Sequence, residues 1–596
     1  MFKDLYTILP DNLRNKLLPI IVSILIKTLL ELVGIAAILP VFIILLDSNS
    51  LESNTYLQWA YNAGGFTNLN SFLLCLSAII LSVIALRGVA VIYLSYLQDN
   101  FLLKIYRHFS SLLLKSYYSK GYLFIKQGTS NHFAFKINSV CYVFAVMVLA
   151  PMLAIIADLA VILTILAFIL FISPTICLIV VLCAFPMIII YNLVIKKNLS
   201  KYGKLENNAK KEQFSTVIDT FKGYPEMVVN NVYPQMELKF KNGLKTICSN
   251  RLKFSAISKV SGLMVELSVI SCATILILLQ NTGNIDISGT LALFGAGAIK
   301  VLPAIKSVLN SWSAIKNNSY SLDTIKEGIY DNTTDIIVKS NNNAGVEIDI
   351  PKTEHFESIE LKNISFSFPS LDVFKNFSLK INAGQRIGVR GVSGSGKSTL
   401  FNILLGLYSV NSGEILLNGK ILNKSNLALW HNMAGYVPQD VFILNASIAE
   451  NIAINHNFNV NRSPKASLKE IIKSNEIENI HFSIDPPILD RINNVLMQAQ
   501  LLDFVQKLPD GVFTVIGECG CLLSGGQRQR IGIARALFKQ PQVLFFDEAT
   551  SAVDAEMEEE INSSINFIAQ NNKNLSIVII AHRESSLKIC DSLIDL

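Results

Sequence analysis

The chain of 596 residues is 51% hydrophobic and only 16% charged, against about 25% charged in an ordinary soluble domain, and its mean hydropathy is +0.43. These values exclude a disordered chain, argue against a wholly soluble one, and leave room for several domains. The net charge of +6 is small for the length and gives no support to a nucleic-acid partner, while nine scattered cysteines without a C-x2-C pair read as reduced thiols, not as a disulfide framework or zinc site.

Six apolar stretches are long enough to cross a bilayer, roughly 17–46, 71–97, 141–171, 175–195, 256–280 and 289–311, and all fall before about residue 312. The first is too long for a signal-peptide core, and Lys27 and Glu31 interrupt it. Asp47–Asn70, Ser173–Pro174 and Asn281–Ser288 carry no Lys or Arg. The other two connections are long and basic, one holding Lys104, Arg107, Lys115, Lys120, Lys126 and Lys136, the other running from Lys196 through Lys253. Basic loops stay on the cytoplasmic side, so both termini are expected inside. These inner loops are amphipathic over long reaches and read as cytoplasmic extensions of the spanning helices. Short turns are expected near Gly128–Lys136 and Thr216–Met227, the latter at the breaker Gly223-Tyr224-Pro225.

Lys27, Glu31, Arg87, Asp158, Glu266 and Lys300 fall inside the apolar stretches, where charges are costly and face a cavity or one another. Lys27 and Glu31 are four apart on one helix face, which predicts a mutual pair. Lys300 sits near the bilayer centre and is either a contact for a substrate anion or the partner of Glu266 or Asp158; Arg87 is the second substrate candidate. Lys306 lies on another face and is read as snorkelling to the inner interface.

Residues 1–316 are therefore expected to form the membrane domain. A polar linker is expected over 317–356, marked by Asp331-Asn332-Thr333-Thr334 and Asn341-Asn342-Asn343. Over 357–596, β-branched strands alternate with helical patterns, the signature of an α/β domain.

In that domain Gly391-Val392-Ser393-Gly394-Ser395-Gly396-Lys397-Ser398-Thr399 is a full P-loop, set between the strand pattern Arg386–Arg390 and the helical Leu400–Leu405. The glycines let backbone N–H groups close around phosphate oxygens, and the helix N-terminus adds its dipole. Lys397 is placed to reach the β/γ-phosphates and Ser398 to ligate Mg2+. Downstream, the apolar run Val543–Phe546 ends in Asp547-Glu548; one carboxylate suits Mg2+ and the next can handle an attacking water.

Between these lies Leu523-Ser524-Gly525-Gly526-Gln527, which resembles the signature of the ATP-binding-cassette proteins, and the resemblance extends along the whole chain. It implies that Ser524 and its glycines cap the γ-phosphate bound by the opposite subunit. Phe368 resembles the aromatic residue that stacks on adenine, where Tyr is usual. Gln439, in Val437-Pro438-Gln439, resembles the Q-loop glutamine that contacts Mg2+ and the membrane domain. Gly517-Glu518-Cys519-Gly520 resembles the segment preceding the signature in exporters, Asp554 in Ser551-Ala552-Val553-Asp554 the D-loop, and His582 the switch histidine that senses γ-phosphate. With Glu548 and His582 both present the site reads as competent for ATP hydrolysis. One P-loop and one signature per chain imply a two-fold dimer, with an identical chain as the economical partner.

Two departures from the family pattern stand out. Residues from about Ile454 to Ser483 lengthen the helical subdomain and read as a surface insertion, and the chain stops at Leu596, soon after His582, where relatives usually continue. Six spans fused ahead of the ATPase look like the exporter architecture, in which the two inner turns dock on the ATPase domains. Glu31–Leu45 and Gly289–Pro303 are similar to bacterial flippases for lipid-linked oligosaccharides. This resemblance implies an amphipathic lipid-linked substrate, contact with membrane lipids and a place in the bacterial cytoplasmic membrane. A lipid-A or multidrug exporter of the same fold is the alternative, and a cassette-gated channel a more distant one.

Overall fold

The computed structural model describes residues 9–36, 61–62, 64–65, 69–172, 174, 177–179, 182, 196–281, 288–330, 354–369, 371–454, 456, 485–517, 520–548, 555–572, 574–581 and 583–596, with side chains excepted at 32–36, 69–70, 172, 196–200, 261, 276–277, 279–281, 288–300, 330 and 555–557. The chain divides into two compact units, one of residues 1–120 and 124–342, the other of residues 121–123 and 343–596.

The first unit is helical. Its longest members are Leu69–Ser119, of 51 residues, and Tyr233–Asn281, of 49. At 1.5 Å per residue, 51 residues make about 76 Å, more than twice the apolar thickness of a bilayer, so such a helix both spans and projects. A third continuous helix runs from Ser130 to Ile172, interrupted by π turns at Lys136–Val140 and Ala145–Leu149. Ser71–Ser119, Ser130–Phe171 and Tyr233–Ile275 are long and apolar enough to cross a membrane, and large side chains such as Leu86, Ile92, Leu163, Phe171, Leu267 and Ile270 are exposed along them. Outward-facing apolar surface on this scale suits lipid and not water. The expected stretch 17–46 is helical over Leu17–Ala36 and then leaves the described residues. Stretch 289–311 lies in the Ser288–Asn317 helix, which carries Pro303 inside it. Nearly all of 175–195 lies outside the described residues.

Two readings change here. Residues 317–330 are not linker: Tyr320–Tyr330 is a helix whose Leu322 and Ile325 are buried with Phe109, Leu113 and Phe144. Leu322, Ile325 and Ile329 recur at helical spacing, a short amphipathic signal overshadowed by the polar run that follows. The ion pairs also differ. Glu266 is bound by Lys306, the lysine expected to snorkel to the interface, which makes Lys306 a bundle contact; the side chain of Lys300 lies outside the described residues. Lys27 and Glu31 are not among the ion pairs of the described residues; they line a cavity of about 280 Å3 together with Asp99, Asp158 and Ser307.

The second unit contains two sheets. β1 (Ser358–Phe368), β2 (Leu371–Asn382), β4 (Ser412–Leu417) and β5 (Lys420–Ile421) form an antiparallel sheet of order β2-β1-β4-β5. β3 (Arg386–Arg390), β6 (Ala434–Val437), β7 (Val543–Asp547), β8 (Ser576–Ile580) and β9 (Ser592–Asp595) form a parallel sheet of order β6-β7-β8-β3-β9. β7 and β8 are buried at every residue, which is why they read as unbroken apolar runs: a parallel sheet is covered on both faces. Phe401, Trp430 and Phe545 fill the core on one side. Ile492, Val495, Leu496, Ile531 and Ile533 join the helices Pro486–Gln498 and Gly525–Phe538 on the other. The insertion expected over 454–483 lies almost wholly outside the described residues.

Gly121–Leu123 belong with this unit. Tyr122 stacks on Tyr408 with centroids 5.8 Å apart, and Leu123 packs against the same core. The turn expected at Gly128–Lys136 falls at the start of that range, at Gly128-Thr129 between the short helix Tyr122–Gln127 and the helix that opens with Ser130–Phe135, and a second break lies upstream at Gly121, which takes φ +85°.

Candidate functional site

The P-loop joins β3 to the helix Lys397–Leu404. Gly394 and Gly396 take φ of +85° and +99°, the left-handed region that side chains other than glycine adopt only with strain. Their freedom wraps the chain so that Lys397, 5% exposed, folds back and donates from Nζ to the carbonyls of Gly391 (2.9 Å) and Val392 (3.1 Å). Ser395 Oγ is buried without a hydrogen-bond partner, and a Cβ on Gly391 would come within 2.7 Å of it. A buried unsatisfied hydroxyl is costly. Here it sits in a loop whose N–H groups and helix terminus favour an anion, and its hydroxyl is a donor of the kind a phosphate oxygen accepts from.

β7 ends opposite the P-loop. Asp547 accepts a hydrogen bond from Ser398 Oγ at 3.3 Å and another from Tyr436 Oη at 3.4 Å. Burial pushes its carboxyl above the usual aspartate range, and the neighbouring Glu548 adds to this; the bonds from Ser398 and Tyr436 and the charge of Lys397 oppose it. An anion poorly solvated in this way is a good cation ligand. Ser398, Asp547 and the Gln439 amide supply oxygen donors of the kind Mg2+ takes. Among the described residues no group of three His, Cys, Asp or Glu side chains could hold a metal.

Glu548 follows with φ +48° and gives its backbone N–H to Ile580 O at 2.9 Å. A non-glycine residue held in the left-handed region persists only where its surroundings fix it. The turn re-aims the side chain, and Glu548 Oε2 accepts from Gln439 Nε2 at 3.0 Å. Gln439 is held from behind as well: its carbonyl accepts from Gln529 Nε2 at 2.6 Å, and Gln529 is buried on the Gly525–Phe538 helix. Signature helix, Gln439 and Glu548 thus form one hydrogen-bonded line.

Ser524 caps the Gly525–Phe538 helix. Its Oγ accepts from Gln527 N at 3.2 Å, and its own N–H donates to Gln527 Oε1 at 2.9 Å, a complete capping box. The serine oxygen is used as an acceptor, which leaves its O–H as a donor suited to an anion. Among the described residues no hydrogen bond joins Ser524 to the P-loop of the same chain. Phe368, at the end of β1, is half-buried and stands edge-on to Phe366 and Tyr408.

The structure therefore brings Lys397, Ser398, Gln439, Asp547 and Glu548 together, with Gly391, Ser393, Gly394, Ser395, Gly396 and Thr399 in the loop around them. Glu518, Cys519, Asp554 and His582 lie outside the described residues, as does the side chain of Lys300. Arg87 lies on the Leu69–Ser119 helix, its Nε buried without a hydrogen-bond partner. Two site residues escaped the sequence reading. Tyr436, three residues before Gln439 on β6, carries a weak signal as a polar-tipped aromatic next to the Q-loop; Gln529 carries none beyond its place in the signature helix.

Fold and loop geometry define a P-loop nucleotide-binding domain carried by a multi-pass membrane protein. More narrowly, residues 374–551 match the family described as ABC transporter, a span that contains the P-loop, Gln439, the signature and Asp547-Glu548. The ATP-dependent lipid A-core flippases of Escherichia coli K12 and Shigella flexneri are 36% identical over 238 residues, 40% of this chain. The chain spans 36% of the length of these curated relatives. A bacterial Atm1-family ABC exporter solved with ATP bound has the same fold, with TM-score 0.71 and 18% identity over 97% of this chain and 93% of that one. The family match thus falls within the second unit, and the chain as a whole has the fold of an ABC exporter.

Proposed function

We propose that two copies of this chain form an ATP-driven exporter. It would flip a lipid-linked oligosaccharide, or a related amphipathic lipid with an anionic head, across the cytoplasmic membrane of a bacterium by alternating access. The observation that carries the reading is the meeting of Lys397, Ser398, Asp547, Gln439 and Glu548 in a chain that also holds helices fit to cross a membrane. Lys397 and the loop N–H groups hold the phosphates; Phe368 borders the base. Ser398, Asp547 and Gln439 would hold Mg2+, which when bound neutralises charge on the β- and γ-phosphates. Glu548, oriented by Gln439, takes the proton of the attacking water, and His582 contacts the γ-phosphate. Ser524, Gly525, Gly526 and Gln527 complete the site of the other subunit, with Asp554 beside them. Closure of the two ATPase domains on ATP turns the membrane cavity outward, and hydrolysis resets it. Both termini are cytoplasmic, as the basic loops require; no nucleic acid takes part.

The reading is tested in vesicles of purified protein supplied with an undecaprenyl-pyrophosphate oligosaccharide, scoring ATP-dependent movement of the lipid. A second reading, transport of a lipid-A-type glycolipid, is favoured by the relatives matched over the ATPase region. Offering both lipids separates the two, since both carry phosphate but one has a single prenyl tail and the other several acyl tails, on different head groups.

A further inference from the structure

The residue that follows His582 is held by the helix that follows Asp554. That helix runs Ala555–Asn571, and on its first turn Glu558, 7% exposed, receives the Nη1 of Arg583. The same carboxylate accepts from Ser585 Oγ at 2.5 Å and from Ser586 Oγ at 3.5 Å. Three side chains of the segment 583–586 thus converge on one buried group. Burial works to raise the Glu558 carboxyl, but the Ser585 hydroxyl and the Arg583 guanidinium outweigh it and hold it below the usual glutamate range. It is an anion at neutral pH.

The segment needs such an anchor. Arg583 is extended and caps the helix Glu584–Leu587, which has four residues and no side-chain cap hydrogen bond. A helix that short has no stability of its own and takes its place from tertiary contacts: Leu587 in the core and the Glu558 carboxylate. β8 is buried and paired on both sides up to Ile580, so the chain is fixed just before His582 by the sheet and just after it by Glu558. The carboxylate lies four positions beyond Asp554, and no role in nucleotide chemistry has so far been given to it.

We propose that Glu558 is a positioning residue for ATP hydrolysis: it ties the first turn of the helix Ala555–Asn571 to the segment Arg583–Ser586, the two stretches that adjoin Asp554 and His582 in the chain. The proposal rests on the ATPase reading above. Arg583 is 48% exposed and can be rehydrated when its partner is lost, so removing Glu558 is not expected to unfold the domain.

The test uses the full-length protein in lipid nanodiscs. Steady-state ATPase, affinity for a fluorescent ATP analogue and thermal unfolding are compared for the parent, Glu558→Gln, Glu558→Ala, Arg583→Ala, the double Ala variant and Lys397→Ala. The expected result is a fall in kcat of about tenfold or more for each single variant, the scale on which misplaced catalytic groups act. KM, analogue affinity and unfolding temperature stay near parental values, and the double variant is no worse than Glu558→Ala, because both changes break one link. An unchanged kcat in Glu558→Ala overturns the proposal. So does a joint loss of affinity, unfolding temperature and kcat in Glu558→Gln, which is the mark of a merely structural contact. Multiplying losses in the double variant overturn it as well. If the parent hydrolyses ATP no faster than Lys397→Ala, the ATPase reading itself has failed, and the proposal falls with it for a reason the control makes visible.

Discussion

The side-chain amide of Gln439 donates to the carboxylate of Glu548 at 3.0 Å, although 109 positions separate the two in the chain. The Gln439 backbone is in turn held by Gln529 of the signature helix. A glutamine gripped at both its backbone and its side chain transmits displacement of either neighbour, so the signature helix and the proposed base are mechanically linked within one chain. A change that moves the signature helix would alter how Glu548 is aimed before any change in nucleotide affinity.

Glu548→Gln keeps the size and polarity of the residue and removes its ability to take a proton. ATP hydrolysis should fall by about a hundredfold or more, the usual contribution of a positioned general base, while a fluorescent ATP analogue binds as in the parent. Single-turnover measurement checks this. Near-parental turnover in Glu548→Gln would move the proton-transfer role to another residue.

Asp547 makes a signed prediction about pH. Its folded-state pKa is raised, with burial the largest cause, so between the ordinary aspartate value and that raised value the folded state binds more protons than the unfolded one. Folding stability contributed by this group is therefore greatest at acid pH and declines as pH rises through that window. Asp547→Asn, measured without Mg2+ or nucleotide, should melt at a temperature equal to or above the parent at neutral pH. The advantage should shrink as pH falls towards the ordinary aspartate range and should disappear when Mg2+ and ATP are added. An Asn variant less stable than the parent at neutral pH, with the gap closing only in acid, would mean that Asp547 is stabilised as an anion before any cation binds.

The proposed sharing of each site between two subunits predicts complementation. Lys397→Ala and Ser524→Ala chains should each be nearly inactive alone. When they are co-expressed and the mixed dimer is isolated, one site has lost both groups and the other is whole. Activity clearly above either variant is the expected outcome, read by ATPase assay on doubly tagged dimers. A mixed dimer as silent as its parents contradicts a site that functions alone across the two subunits.

Lys306 holds Glu266, and inside a bilayer a charge that loses its partner is costly. Glu266→Ala should lower the yield of folded dimer, and adding Lys306→Ala should restore much of it. Adding Lys300→Ala in place of Lys306→Ala should not. Fluorescence-detected size exclusion in detergent reads all three. Rescue by Lys300→Ala would return the pair to the lysine that the sequence first suggested.

What the sequence made legible was chemistry confined to short stretches. Gly391–Thr399 shows its cradle because turn, helix start and lysine are adjacent, and β7 shows its burial because every residue before Asp547 is apolar. Partners fixed by folding were not legible. Tyr436 meets Asp547 from a different strand, Gln529 reaches the Gln439 carbonyl by a register that only the packed helix sets, and Lys306, read as snorkelling, meets Glu266 from the helix Ser288–Asn317. The helix Tyr320–Tyr330 was hidden by the polar run beyond it, and the extra break ahead of Gly128 lies at a single glycine, Gly121, which takes a positive φ.

Under the proposed function, ATP hydrolysis at the Lys397–Glu548 site moves a lipid-linked anionic amphiphile across a membrane. The direct measurement is a paired one in sealed vesicles: ATP hydrolysis and translocation of an undecaprenyl-pyrophosphate oligosaccharide in the same preparation, for the parent and for Glu548→Gln. The parent is expected to move the lipid only with ATP and to hydrolyse ATP faster when the lipid is present, with both activities lost together in Glu548→Gln. Parental ATP hydrolysis that neither moves nor responds to this lipid or to a lipid-A-type glycolipid would overturn the proposed function.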